Sequence, residues 1–365
     1  MEAERRAWHR DIYFEFQVVK YLKHALPVEC LLTKKHLTGI IGIMKIFLSN
    51  QGNLRNFKSF VELLDLSHPE KLEITTHDKW VTVHPANLVI AAALAIQIGK
   101  ENTEIIGKVP ETGRYLDRMG LYELTKTSSP FVYSKKEEAG RFVPIKIIKT
   151  SEDQSRFITD MIPLLHLSEK NARVVKYIIG ELVRNVLEHS FTKNGAIVAA
   201  QYYRKTNRVS IGICDNGIGI WKSLNTYWHP KNDIDALKLA LTPGITGTTR
   251  REGGTAENAG AGLFFIKSMA KITRNYFVIY SGRGEYTLLK YKKRIKGMPR
   301  LYADPNRDPH SETNNAPSFQ GTLVAVDISL DETKELNELL ASIGEVYDKA
   351  IRERKRDRYK KPRFI

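Results

Sequence analysis

Four short polar segments stand in order through the second half of the chain, each at the end of an apolar element. Together they restrict the fold more than any bulk property. The first, Glu181-Leu-Val-Arg-Asn185-Val-Leu-Glu-His-Ser190, lies in a helix predicted over 171–190, with Val175, Ile178, Leu182 and Val186 on one apolar face. Glu181 and Asn185 are four apart and share the other face. A carboxylate beside a carboxamide can hold a magnesium ion through oxygen and orient a water.

The second segment, Ile211-Gly-Ile-Cys-Asp215-Asn-Gly217-Ile-Gly219, brings an acidic residue out of an apolar strand into a glycine turn. Its backbone can approach a flat ligand, and its carboxylate can accept from an exocyclic amine. The third runs from Gly244-Ile-Thr-Gly247-Thr-Thr through Gly253-Gly254 to Asn258-Ala-Gly260-Ala-Gly262-Leu263 and into a helix. Backbone N–H groups at a helix start suit phosphate oxygens. The fourth is Gly321-Thr322, opening a late apolar strand that can set a hydroxyl beside Asp215. Taken singly, these segments equally fit an exposed helix face, a strand-ending turn, an ordinary glycine loop and a threonine at a strand start. The glycine segment has neither Walker nor Rossmann spacing.

Around these segments the pattern predicts an α+β chain. Strands are expected at 195–203 and 209–214, as a hairpin around Lys205-Thr-Asn207, and at 272–280, 286–291 and 321–328. With helices before and between them, they predict an antiparallel or mixed sheet covered on one face. Residues 1–150 read as a smaller α/β domain with strands at 71–76, 80–83 and 104–107 and a strongly apolar helix at 86–97. Gly140 to Ser155 is polar and is expected to join the two domains. Arg294 to Ser318 reads as a long loop. Residues 332–356 form an amphipathic helix, with Leu336, Leu339, Leu340, Ile343, Val346 and Ala350 on the face offered to a partner or a second copy.

The chain has 365 residues, enough for two domains at about 150 each, and a formal charge of +16. A polyanionic partner fits that surplus. Nine basic residues against two acidic ones from Lys349 to Ile365 leave the tail at +7, suited to nonspecific nucleic acid binding or to plain solvation. The two cysteines, Cys30 and Cys214, cannot frame a disulfide scaffold and point to a reducing, cytoplasmic setting. No run of about 18 apolar residues predicts a membrane span.

The order helix Glu-x-x-x-Asn, strand Asp-x-Gly-x-Gly, mobile Gly-x-Gly-Leu and late Gly-Thr resembles the GHKL superfamily of gyrase, the ninety-kilodalton heat-shock chaperone, histidine kinases and mismatch-repair ATPases. The likeness covers residues 151–330. It implies a Bergerat-type two-layer α/β sandwich, its mixed sheet covered by helices on one face, that binds ATP with Mg2+. By that likeness Glu181 is the general base, Asn185 the magnesium ligand and Asp215 the acceptor for the adenine amino group, supported by Thr322. Gly217 and Gly219 shape the adenine pocket, Gly260, Gly262 and Leu263 lie under the phosphates, and Lys267 reaches toward them.

Two departures narrow the reading. Histidine kinases carry Asn where this chain has Glu181, so hydrolysis, or transfer to a protein hydroxyl, is favoured over phosphohistidine chemistry. Phe264 stands where sensor kinases have another glycine. The build is similar to that of anti-sigma-factor kinases, and residues 80–124 resemble a STAS-like fold. The expectation is a slow Mg-dependent ATPase whose lid, Thr242 to Gly260, switches a protein partner through the N-terminal domain or the C-terminal helix, with homodimerisation open. The alternatives are a serine/threonine kinase of a partner and a nucleotide-sensing module that does not turn over.

Overall fold

Strand alternation and one helix that is apolar all round together decide the architecture. The computed structural model describes residues 42–67, 70–131, 142–160, 162–249, 260–290, 299–331 and 335–359. Strand β1 (Ile43–Leu48), helix α1 (Phe57–Glu62), β2 (Lys71–Thr76), α2 (Pro85–Ile98), β3 (Thr103–Ile105) and α3 (Arg114–Arg118) come first. The sheet β1-β2-β3 is parallel throughout. Residues 80–83, expected as a strand, run as irregular chain into α2.

The larger sheet is built from β4 (Phe142–Ile148), β5 (Ala196–Tyr203), β6 (Arg208–Asp215), β7 (Phe277–Gly282), β8 (Gly284–Leu288), β9 (His310–Thr313) and β10 (Phe319–Ser329). Its order is β4-β5-β6-β10-β7-β8-β9, and every pairing is antiparallel, not mixed. The helices among these strands are α4 (Ser151–Asp160), α5 (Glu169–His189), α6 (Gly219–Asn225), α7 (Asp233–Ala240), α8 (Gly262–Ile272) and α9 (Leu336–Tyr359). The chain is therefore α+β.

The sheet is covered on both faces, against the expectation of one. Ala196, Val198, Ala200, Ile211, Ile213, Ile279, Val324 and Val326 face the core under α5, α8 and α9. The alternating Ile197, Ala199, Cys214, Val278, Tyr280, Leu323 and Ala325 join a second core with α2 and the parallel sheet. The cause is visible in α2. Every residue from Pro85 to Ala95 is buried, so the helix has no solvent face and must be enclosed. It lies over a row of small residues, with Gly212 paired to Ala199 on one side and Ala325 on the other. A Cβ at Gly212 would stand 2.7 Å from the Ala86 nitrogen, so the backbones nearly touch there.

A polar bolt fastens the start of α2. His84 caps the helix, its Nδ1 accepting from Ala86 N–H at 3.0 Å, while Nε2 meets Asp327 at 3.2 Å. Burial would raise the Asp327 pKa, but hydrogen bonds from His84 and Ser210 and the nearby Arg208 charge hold it below the usual carboxylate value.

Residues 42–365 group as one compact unit. The stretch expected as a joint contains β4, an edge strand whose pairing slips between Val143 and Lys146, around Pro144. Proline is tolerated at such an edge because it has no N–H to give the ladder. The expected loop 294–318 holds β9, the other edge. Leu339 and Ile343 of α9 are buried in this chain's own core, and the partly buried Leu336, Leu340 and Val346 pack against it, so much of the face expected to receive a partner turns inward. Among the described residues, no helix is long and apolar enough to cross a membrane.

Candidate functional site

A single cleft opens between α5, the carboxyl end of β6, the start of α8 and the segment after α7. Glu181, Asn185, Asp215, Gly219, Gly260, Gly262, Leu263 and Thr322 all line it. Helix α5 supplies the long wall. Ser168 caps its start, accepting from Asn171 N–H, and Val175, Ile178, Ile179, Leu182 and Val183 anchor it in the core. That burial fixes the rotation of the helix and turns Glu181, Asn185 and Glu188, one or two turns apart, toward the cleft.

Glu181 is largely enclosed, its side chain 16% exposed, and Arg184 Nη2 donates to its Oε1 at 2.5 Å. Burial pushes the Glu181 pKa up, while the Arg184 charge and hydrogen bond pull against it. A carboxylate with a raised pKa is suited to taking a proton near neutral pH. The first residue of α8 closes in from the other side. A Cβ at Gly262 would lie 2.9 Å from Glu181 Oε2 and 3.4 Å from Asn185 Nδ2. Glycine there leaves room beside the carboxylate and carboxamide, next to the free N–H groups at the start of α8.

Asp215 closes the floor. It is 3% exposed and accepts from Gly217 N–H at 2.7 Å. Burial pushes its pKa up to about 7, against the pull of hydrogen bonds from the Gly217 and Thr322 N–H groups. Thr322 sits opposite Asp215 in the ladder. Gly321, at φ 116°, makes this possible, since a Cβ there would collide with the Asp215 carbonyl at 1.9 Å. Gly217 does not line the cleft. It presses on Ser190, whose carbonyl would stand 2.1 Å from a Cβ, and Ile218 N–H donates to that same carbonyl at 2.8 Å. Its part is to tie the end of β6 to the end of α5.

Lys267 is a correction. It points away from the cleft and is buried, its Nζ 2.6 Å from Asp308 Oδ2, with Lys271 on the other oxygen of the same carboxylate. Phe264 is fully buried and packs in the core beneath α9. Arg250, Arg251, Gly253, Gly254 and Asn258 lie outside the described residues, as do residues 360–365 of the basic tail. From α9, Arg354 donates to the Pro243 carbonyl, just after Thr242.

Ser281 and Arg184 escape a reading of the sequence, whereas His189 reads there as a supporting group of the site or a cap of the helix end. Ser281 on β7 accepts from Ile220 N–H at 3.0 Å, donates to the Gly321 carbonyl at 2.6 Å and lies 3.3 Å from the Thr322 hydroxyl. It thus joins the turn after β6 to the start of β10, but a lone strand serine carries no signal. His189 and Arg184 both line the cleft. Burial lowers the His189 pKa, which leaves it neutral rather than a charged end to the helix dipole. Arg184 reads in sequence as an ordinary solvated helix charge.

Among the described residues no group of three His, Cys, Asp or Glu side chains is placed to hold a metal. Magnesium does not need one, since it keeps most of its waters and takes one or two protein oxygens. The Asn185 carboxamide offers one such oxygen on the cleft wall. No protein-family model matches the chain, and no curated protein matches it.

Proposed function

We propose that the chain binds ATP with Mg2+ in this cleft and hydrolyses it slowly, on a Bergerat-type arrangement in which α5 and α8 frame the nucleotide over one face of the antiparallel sheet. The observation that carries the reading is the convergence of Glu181, Asn185, Asp215, Thr322 and Gly262 on one cleft from elements up to about 140 residues apart. The residue types suit the parts of the ligand. Asp215 and Thr322 lie at the enclosed end, where a carboxylate can accept from the adenine amino group. Ile213, Ile220, Leu224 and Val324 line the same cleft and suit a flat base. The N–H groups opening α8, an eleven-residue helix, suit phosphate oxygens.

Magnesium, held by Asn185, would neutralise phosphate charge and hold the phosphates in place. Glu181 takes the proton of a water aligned with the terminal phosphate, and its partial burial keeps it basic enough to do so. Arg354 at Pro243 gives the C-terminal helix a contact with the segment leading to the phosphate end, which is a route by which nucleotide state can reach a partner.

Calorimetry with MgATP tests binding, and phosphate release tests turnover. Glu181→Gln is expected to retain ATP and lose at least 100-fold in turnover, the usual scale for a general base. Asp215→Ala is expected to lose binding. Wild-type turnover in Glu181→Gln removes the base assignment. Label from radioactive ATP that appears on a partner protein rather than as free phosphate redirects the same site to a kinase.

A further inference from the structure

The cleft carries an unusual charge balance for a site that takes a polyphosphate. Glu181, Glu188 and Asp215 bring carboxyl groups to it, and Arg184 is the only lysine or arginine among the described residues that line it. His189 does not redress the balance, because burial lowers its pKa and favours the neutral ring. Arg184 stands in the turn between the two working residues of α5. Its Nη2 is 2.5 Å from Glu181 Oε1 and its Nε 4.0 Å from Glu188. The Glu181 end of this pair is enclosed, while the Arg184 side chain is 49% exposed. A half-exposed ion pair is weakly held. A phosphate offers the same planar fork a stronger, doubly hydrogen-bonded partner.

Resting on the ATP reading above, we propose that Arg184 recognises the terminal phosphate. Without nucleotide it neutralises Glu181. With ATP it turns to the γ-phosphate and leaves the Glu181 carboxylate free to act. In the step that follows, a water oxygen forms a new bond to the γ-phosphorus and the bond from that phosphorus to the β-phosphate oxygen breaks. The water proton goes to Glu181, and the electron pair of the broken bond stays on ADP. Arg184 donates hydrogen bonds to the γ-phosphate oxygens throughout and gives up no proton. ADP has no γ-phosphate to draw it, so Arg184 returns to Glu181 after release. The residue thus couples discrimination of ATP from ADP to exposure of the base.

The test uses the full-length protein with MgATP and MgADP by calorimetry, and phosphate release for turnover. Arg184→Gln is expected to cut the preference for ATP over ADP at least tenfold, to leave ADP affinity within about twofold, and to lower kcat by about 100-fold, the scale of one lost transition-state donor. Arg184→Lys is expected to keep part of the ATP preference through its charge and to lose the part that the doubly hydrogen-bonded fork supplies. The half-exposed position predicts unchanged thermal melts for both variants, which separates the effect from misfolding. An Arg184→Gln protein with wild-type preference and kcat overturns the proposal, as does Arg184→Lys behaving like Arg184→Gln. A wild-type chain that binds neither nucleotide overturns the ATP reading itself, and this one with it.

Discussion

Asp215 floors the candidate site at a cost to the folded chain, and the cost has a pH signature. Its pKa rises from 3.8 to about 7 because the carboxyl is buried in β6. The folded state therefore binds its proton more tightly than the unfolded chain between those values. Stability from this group is complete below about pH 4 and is lost as pH rises toward 7. At 1.36 kcal/mol per unit, the ceiling of the loss is about 4 kcal/mol, of which about 3 falls between pH 5 and pH 8. Asp215→Asn cannot ionise and escapes this loss. Its amide oxygen still accepts from Gly217, while the amide nitrogen leaves the Thr322 N–H short of an acceptor, costing about 1–2 kcal/mol at every pH. The two proteins should be similarly stable at pH 5, and the variant more stable by about 2–3 kcal/mol at pH 8. Glu285, also pushed up to about 7 by burial, titrates in both and drops out of the difference. Urea unfolding followed by the fluorescence of the four tryptophans reads the comparison directly. Saturating MgATP should stabilise the wild type alone. A difference between the two that stays constant from pH 5 to pH 8 refutes the desolvation argument.

Two further substitutions probe the supports of the site. Gly262→Ala places a methyl group 2.9 Å from Glu181 Oε2. The side chain can give way, so melting should move little while turnover falls at least tenfold, about the effect of a misplaced reacting group; a lower melting temperature with normal turnover would reverse that account. Asp308→Ala strands two buried ammonium groups and should cost about 3–5 kcal/mol in urea unfolding. Lys271→Met should cost less, since it leaves the Lys267–Asp308 pair intact and removes a repulsion that helps burial lower the Lys267 pKa. An equal loss in the two variants would show that charge pairing is not what holds this cluster.

What could be read from the sequence follows from where periodicity was strong. Helix α5 stands within two residues of its expected range because its apolar spacing, from Val175 to Val186, has the helical period over about three turns. The hairpin β5–β6 was legible from two apolar runs around Asn207, which takes the left-handed conformation the turn needs. The edge strands β4 and β9 were not, because an edge needs only half the ladder and tolerates Pro144 or a polar His-Ser-Glu-Thr run. The all-round apolar character of α2 announced burial without naming what would bury it, which is why the covering of the sheet on both faces went unforeseen. Within the site, spacing placed Glu181 and Asn185 together. Lys267 failed because five residues from Gly262 rotate a side chain about 140° around the helix, onto the Asp308 side. Ser281 acts through long-range pairing, which no local pattern records.

The enclosure of Pro85–Ile98 sets a constraint on biosynthesis. Its Ala-Val-Ile surface is closed over in part by β10, which leaves the ribosome about 220 residues after the helix does. At ordinary elongation rates of about 5–20 residues per second, that is roughly 10–45 s in which the nascent chain carries this segment without its full cover. Until its last strand slots in, the newborn polypeptide keeps part of that surface open.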